Sequence, residues 1–220
     1  MDLSWNHNAH YHGLLLGRVP RPCARALDVG CGDGRFARLL AGVAGQVDAI
    51  DPDPRMVDAA RRRTPGRLDV RYTKAALGEI DLEPGAYGFV SAISSLHHLP
   101  AAEFGGALRR LEAALAPGGV LAVLGLYKEE TANDRAASAA ALLPQWAMGG
   151  ALAAGRALTG VPDPDEPGMP VAEPEMDLRR IAAEAGRVLP GVRVRRLLFW
   201  RYCLFYTRRP SPGPREPSRR

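Results

Sequence analysis

The stretch LDVGCGDGRF, Leu27 to Phe36, sets glycines at 30, 32 and 34 between an apolar run and a leucine- and alanine-rich segment. A turn of this kind ends a strand and starts a helix within a few residues, on backbone conformations that side chains disfavour. The chain returns along that helix, so the next strand of the sheet runs parallel to the first. The pattern then repeats. Residues 24–30 read as a strand, 34–43 as a helix, 46–51 (QVDAID) as a strand, and 54–63 as a helix capped by Asp53 and opened by Pro54. Residues 68–73 and 87–94 read as strands, and 101–115 as a helix halted at Pro117-Gly118-Gly119. The unbroken apolar run 120–127 predicts a fifth strand buried on both faces. After a long insert, 176–189 reads as a helix and 192–207 as two strands turning near Leu198 to Trp200. The expected fold is α/β: a doubly wound, mostly parallel seven-stranded sheet with a C-terminal antiparallel hairpin and helices on both faces.

At 220 residues the chain suits one domain, expected over 1–207. No apolar run approaches the roughly 20 residues that cross a bilayer, so no membrane partner is expected. The start MDLSWNHNAHYHG lacks the charged head and apolar centre of a signal peptide, and Cys23, Cys31 and Cys203 form no CxxC pair. Reduced thiols and a cytoplasmic location follow as expectations. Residues 208–220, with five arginines and one glutamate, carry +4 of the formal +5, which leaves the rest close to neutral. This proline-rich tail is expected to be disordered and solvated. Only Lys74 and Lys128 accompany 27 arginines, and alanine, glycine and proline abound. That usage explains the high isoelectric point without a polyanion, and no nucleic-acid partner is expected.

Dinucleotide loops read GxGxxG and set a diphosphate on the helix N-terminus. Here the spacing is GxGxG, with Asp28 two residues before the first glycine and Asp33 inside the loop. Carboxylates at that point repel a diphosphate and favour a ligand carrying an ammonium group. The stretch LDVGCGDG resembles the first motif of class I S-adenosylmethionine-dependent methyltransferases, of the small-molecule "type 11" kind. The resemblance implies their Rossmann-like fold and S-adenosyl-L-methionine as cofactor. It implies that Gly30, Cys31, Gly32 and Gly34 pack on the methionine moiety and that Asp28 reaches its amino group. Asp51, in AIDPD, matches the acid that holds the ribose hydroxyls; Pro52 follows it, and Met56 matches the apolar residue laid on the adenine. SAISSLHHLP (91–100) resembles the end of strand four and adds Ser94 to the binding set, and LAPGG (115–119) resembles the turn before strand five. The likeness spans about residues 25–127 and the terminal hairpin. Two departures stand out. YTKAALGE lacks the acid that reads the adenine amino group, which leaves the backbone around Ala75 and Ala76 for that task. Tyr87-Gly88 replaces the Phe-Asp that usually opens strand four.

The five histidines form two groups: His7, His10 and His12 near the N-terminus, and His97 and His98 after strand four. The resemblance implies that residues 1–20 form a lid over the carboxyl ends of the strands, where the groups approach each other. His97, His98, His10 and His12 are therefore candidates to take a proton from a hydroxyl acceptor. Capping or backbone bonding for His97 and His98, and lid packing for His10 and His12, remain open. HxH plus HH lacks carboxylates at ligand spacing, so no metal is expected. Trp5 and Tyr11 are aromatic lid candidates. Residues 128–172, with Trp146 and Met148, are expected to shape an apolar acceptor pocket, and Arg201 is a candidate anion or stacking contact. The resulting expectation is methyl transfer to oxygen or nitrogen of a small molecule, a secondary metabolite, by a monomer or homodimer. An RNA or protein methyltransferase is the alternative, although the Asn-Pro-Pro-aromatic motif is absent; a non-catalytic cofactor-binding protein is another.

Overall fold

The computed structural model describes residues 8–130, 158 and 173–209. Seven strands form one sheet in the order β3-β2-β1-β4-β5-β7-β6. They are β1 Arg25–Val29, β2 Gln46–Asp51, β3 Val70–Lys74, β4 Tyr87–Ile93, β5 Leu115–Leu126, β6 Arg193–Arg196 and β7 Arg201–Thr207. The first five run parallel, while β7 pairs antiparallel with both β5 and β6. The helices are α1 His12–Leu16, α2 Arg35–Leu40, α3 Pro54–Arg63, α4 Ala101–Ala114 and α5 Leu178–Val188. One core lies between the sheet and α4 with α5, around Leu108, Leu111, Ile181 and Tyr202. The other lies under α1, α2 and α3, around Leu15, Phe36, Leu40 and Val57. This is the doubly wound sheet with a terminal hairpin that the pattern predicts.

Local chemistry explains the boundaries. Asp53 accepts from the Arg55 amide at 2.8 Å with Pro54 behind it, and Asp177 accepts from the Arg180 amide at 2.6 Å. Caps of this type stabilise a helix by about 1 kcal/mol each. Arg61, Arg62 and Arg63 close α3 at the negative end of its dipole. The fifth strand departs from the expected 120–127: it starts at Leu115, which pairs with Tyr87, and the ladder resumes at Phe89 opposite Val120. Ala116 to Gly119 are thus an irregularity inside a strand, not a turn before one. Arg208, expected at the head of a loose tail, exchanges backbone bonds with Gly118 and Gly119 at 2.9 Å and extends the ladder. Residues 210–220 lie outside the described residues.

The aspartate missing from the start of β4 has a substitute. Buried Asp48 of β2 accepts from the Tyr87 hydroxyl at 3.0 Å and pairs with Arg25 at 2.7 Å. The Arg25 guanidinium lies 4.8 Å from the Tyr87 ring centre and also reaches Glu83. The pairing and the hydrogen bond both fall on Asp48 Oδ2, while its Oδ1 is buried with no hydrogen-bond partner among the described residues; the Arg25 guanidinium beside it offsets the cost of the charge. Asp48, from β2, therefore brings to the start of β4 the carboxylate that an aspartate at 88 would supply, and the Tyr87 hydroxyl binds it.

Candidate active site

The sheet reverses its winding between β1 and β4, and a crevice opens there at the carboxyl ends of the strands. A cavity of about 710 Å³ fills it, a volume typical of small-molecule sites. Asp28, Gly30, Cys31, Gly32, Asp51, Pro52 and Met56 line one side, with Ala75 and Ala76 beyond them. Ser94, His98, Asn8 and His12 also line it.

The backbone donors of the glycine loop are already engaged. Gly30 and Cys31 N–H donate to the Ile50 carbonyl at 2.8 and 3.0 Å, and Gly34 N–H to the Cys31 carbonyl at 3.0 Å. Gly32 N–H donates to Asp51 Oδ2 at 2.8 Å, while Asp51 Oδ1 takes the Asp53 N–H at 2.9 Å. A phosphate cradle needs free N–H groups, and these four have none to offer. Asp51 keeps one unused acceptor site on each oxygen, enough for a vicinal diol. Gly30, at φ +70°, has no alternative residue: an added Cβ would sit 2.3 Å from that of Ser95.

Asp28 is 1% exposed. Its Oδ1 accepts from the Ser91 hydroxyl at 2.8 Å, and its Oδ2 is buried without a hydrogen-bond partner among the described residues. Burial raises its pKa to about 7, offset in part by Ser91 and reinforced by Asp51. A buried carboxylate with an open oxygen costs free energy until a cation meets it. An ammonium group is such a partner, so the residues present fit the amino-acid end of S-adenosylmethionine. Asp33 takes another path. It pairs with Arg63 of α3, approaches Arg38 at 4.0 Å and caps the Arg35 amide at 3.1 Å. Those arginines tie down the loop.

Some expected residues sit elsewhere. Gly34 does not line the cavity; an added Cβ would meet the Tyr72 hydroxyl at 2.4 Å, so its bareness serves the packing of the loop on β3. The Ala75 N–H donates to the Asp51 carbonyl at 3.1 Å and the Ala76 N–H to Glu79 at 3.4 Å. Both residues line the cavity, and since the adenine amino group is a donor, what their backbone can offer it is a carbonyl oxygen rather than an N–H. Cys31 is buried and its thiol is pushed up by burial, which keeps it protonated.

The histidines separate. His98 is exposed and lines the cavity beyond β4. His97 points instead to a small void beside Phe104, Glu175 and Tyr202, its Nδ1 buried without a hydrogen-bond partner. Burial, then His98 and Arg201, bring His97 down to about 4. His12 lies 5.0 Å from the Phe36 ring, and burial, then Arg35, bring it also to about 4. Both are neutral imidazoles at neutral pH. His10 is exposed and stacks edge-on against Tyr11 and Phe199. Tyr11 is buried away from the cavity and donates to the Leu198 carbonyl at 3.1 Å, which anchors the N-terminal segment to the hairpin turn. Trp5, Trp146 and Met148 lie outside the described residues. No group of three or more potential metal-ligating side chains occurs among the described residues, and no helix among them is long and apolar enough to cross a membrane.

Asn8 was absent from the expected set. It lines the cavity, and its Oδ1 accepts from Ser94 Oγ at 2.8 Å and Arg201 Nε at 3.0 Å. Its partners lie 86 and 193 residues along the chain, so no local motif marks it. Ser94 itself adopts φ +49°, a strained conformation for serine that occurs preferentially at functional sites.

Comparison with known proteins agrees with this geometry. The profile of the methyltransferase domain family matches residues 26–119. An uncharacterized methyltransferase of Mycobacterium tuberculosis is 31% identical over 202 residues, covering 91% of this chain and 95% of that one. A ubiquinone biosynthesis O-methyltransferase of Xanthomonas campestris is 34% identical over 109 residues, 49% of this chain and 45% of that one. Among solved structures, an N-methyltransferase of Bradyrhizobium japonicum in complex with S-adenosylhomocysteine superposes with a TM-score of 0.62. It is 14% identical, with 94% of this chain and 90% of the other covered.

Proposed function

The chain belongs to the class I S-adenosylmethionine-dependent methyltransferases, and we propose that it methylates an oxygen or nitrogen atom of a small molecule, a secondary metabolite, in the cytoplasm. The observation that carries the cofactor half of this reading is the buried, unpartnered Oδ2 of Asp28, a residue of the cavity wall whose neighbouring Gly30, Cys31, Gly32 and Gly34 amides are engaged. The O-methyltransferase relative supports a small acceptor, and three free, buried cysteines suit a reducing compartment.

S-adenosylmethionine supplies a methyl group on a sulfonium, which leaves as a neutral thioether when a nucleophile takes the methyl. The chain has to bind, align and keep the pocket dry. Asp28 holds the amino group, and Ser91 keeps its other oxygen occupied so that the open one faces the ligand. Asp51 holds the ribose diol while clamping the loop through Gly32. Met56 gives the adenine an apolar floor. On the far side, His98 is the residue we assign to accept a proton from a hydroxyl or ammonium acceptor, because it faces the cavity beyond β4 and is exposed enough to pass that proton to water. His12, neutral and beside the glycine loop, orders the segment over the cavity.

Titration calorimetry with S-adenosylhomocysteine and with NADH tests the cofactor assignment. The thioether nucleoside should bind in the micromolar range and the dinucleotide should not. NADH binding in preference would overturn it. Release of S-adenosylhomocysteine in the presence of small hydroxyl and amine acceptors tests the acceptor class; turnover on RNA or protein alone would overturn that part.

A further inference from the structure

The cofactor half of the crevice lies over β1 and β2, so the methyl acceptor belongs over β4, β5 and β7, and this inference rests on that reading. Arg201 opens β7, opposite Leu126 at the carboxyl end of β5. Its side chain is partly buried and pairs with no carboxylate among the described residues. Nε donates to Asn8 Oδ1 and Nη1 to the Phe199 carbonyl at 3.4 Å, whereas Nη2 has no hydrogen-bond partner among the described residues. Arginine only donates, so the atom it meets on Asn8 must be the amide oxygen. The Ser94 hydroxyl bonds the same oxygen, so both contacts fall on the oxygen of the amide and the Asn8 side-chain nitrogen, on a residue that lines the cavity, has no hydrogen-bond partner among the described residues.

This leaves two sets of N–H donors, one of them on a guanidinium, on adjoining side chains at the acceptor side. Half-buried cations without a counter-ion are costly, and a planar pair of oxygens is the group that arginine geometry suits best. We propose that Asn8 and Arg201 recognise a carboxylate on the methyl acceptor, with one oxygen on the Asn8 amide nitrogen and the other on Arg201 Nη2. A phosphate monoester fits less well: it carries more charge than Arg201 alone neutralises, and Arg38 and Arg63 of the cavity wall are already paired with Asp33. Ser94 and the strained turn at Phe199 and Trp200, with φ of +59° and +57°, hold the two donors in place. Asn8 and Arg201 then select the acceptor and leave the cofactor alone.

The test uses the full chain loaded with S-adenosylhomocysteine and ligand-observed NMR titrations of benzoate, succinate, their amides and phenyl phosphate. At least one carboxylate should bind tenfold or more tighter than its amide and than phenyl phosphate. Arg201→Gln should erase that preference and leave S-adenosylhomocysteine affinity within twofold. Asn8→Asp guards against a misfolded variant: it keeps an oxygen for Ser94 and Arg201, supplies the missing counter-charge, and removes the donor. It should fold normally and lose carboxylate binding at least tenfold. Equal binding of acid and amide, tighter phenyl phosphate, no carboxylate binding, or an unchanged preference in Asn8→Asp would each overturn the proposal. If S-adenosylhomocysteine itself fails to bind, the cofactor reading falls, and the same titrations on the free protein still decide the carboxylate site.

Discussion

The two sides of the crevice are built in opposite ways. The β1–β2 side is made mainly from 29 consecutive residues, Asp28 to Met56, whose glycines, carboxylates and cap lock one another in place. The acceptor side is assembled from Asn8, Ser94, His98 and Arg201, brought together from the two ends and the middle of the chain. A site built locally is rigid before the rest packs, and its chemistry shows in a short motif. One built by long-range contacts depends on the whole sheet, which lets the acceptor side vary while the cofactor side stays the same.

Substitutions on the two sides should therefore fail differently. The largest effect is expected for Gly30→Ala, which adds a left-handed backbone penalty to a collision with Ser95. Destabilisation of roughly 3 kcal/mol should lower the melting temperature by about 6–12 °C. A melting temperature within 2 °C of the parent would mean that the loop and β4 are not locked as described.

Asp28→Asn comes next. Losing a charge-assisted bond is worth about 1.5–3 kcal/mol, so S-adenosylhomocysteine should bind some ten- to hundredfold more weakly by calorimetry. The free protein should melt no lower, because the substitution removes a buried carboxylate with an open oxygen. Its pH dependence sharpens the point. Asp28 titrates at about 7 when folded against 3.8 as its ordinary value, so the folded state holds the extra proton between them. Its stabilising contribution is complete below about pH 4 and is lost as pH rises through 7. Cofactor binding needs the ionised form and should weaken about tenfold per pH unit below 7, levelling above it. An affinity flat from pH 5.5 to 8.5 in the parent chain, or the same slope in Asp28→Asn, would detach Asp28 from the ligand.

The histidines give the smallest effects and the most local comparison. His98→Ala should cut kcat about tenfold with little change in S-adenosylhomocysteine affinity, below the usual range for a general base because the ring is exposed. His97→Ala should leave kcat within twofold, since its ring faces the void near Tyr202. Steady-state rates on one acceptor suffice; the reverse order would exchange the two roles.

Much of this was readable in advance, for a definite reason. The alternation of strand and helix, the cap at Asp53 and the glycine turn are short-range effects, each fixed by a few neighbouring residues. Asp28, Asp51 and Met56, which the family resemblance singled out, line the cavity. The misreadings concern direction. Gly34 looked like a ligand-facing glycine but faces Tyr72, and His97 and His98 are adjacent yet open onto different spaces. Which way a side chain points after a strand ends depends on the backbone path of the turn, which at the end of β4 includes a φ of +49° at Ser94, and no residue pattern announces it.

By itself, the order of residues settled the parallel sheet, the place of the loop and the acidic character of the pocket, because these follow from hydrophobic period, glycine geometry and charge within about twenty residues. Only the folded chain decided which donors stay open. Gly32 is occupied by Asp51, Asp33 by arginines and the Asn8 oxygen by Ser94 and Arg201, whereas Asp28 Oδ2 and the Asn8 nitrogen have no partner among the described residues. A hydrogen bond is a pairing, and which partners meet is a property of three dimensions.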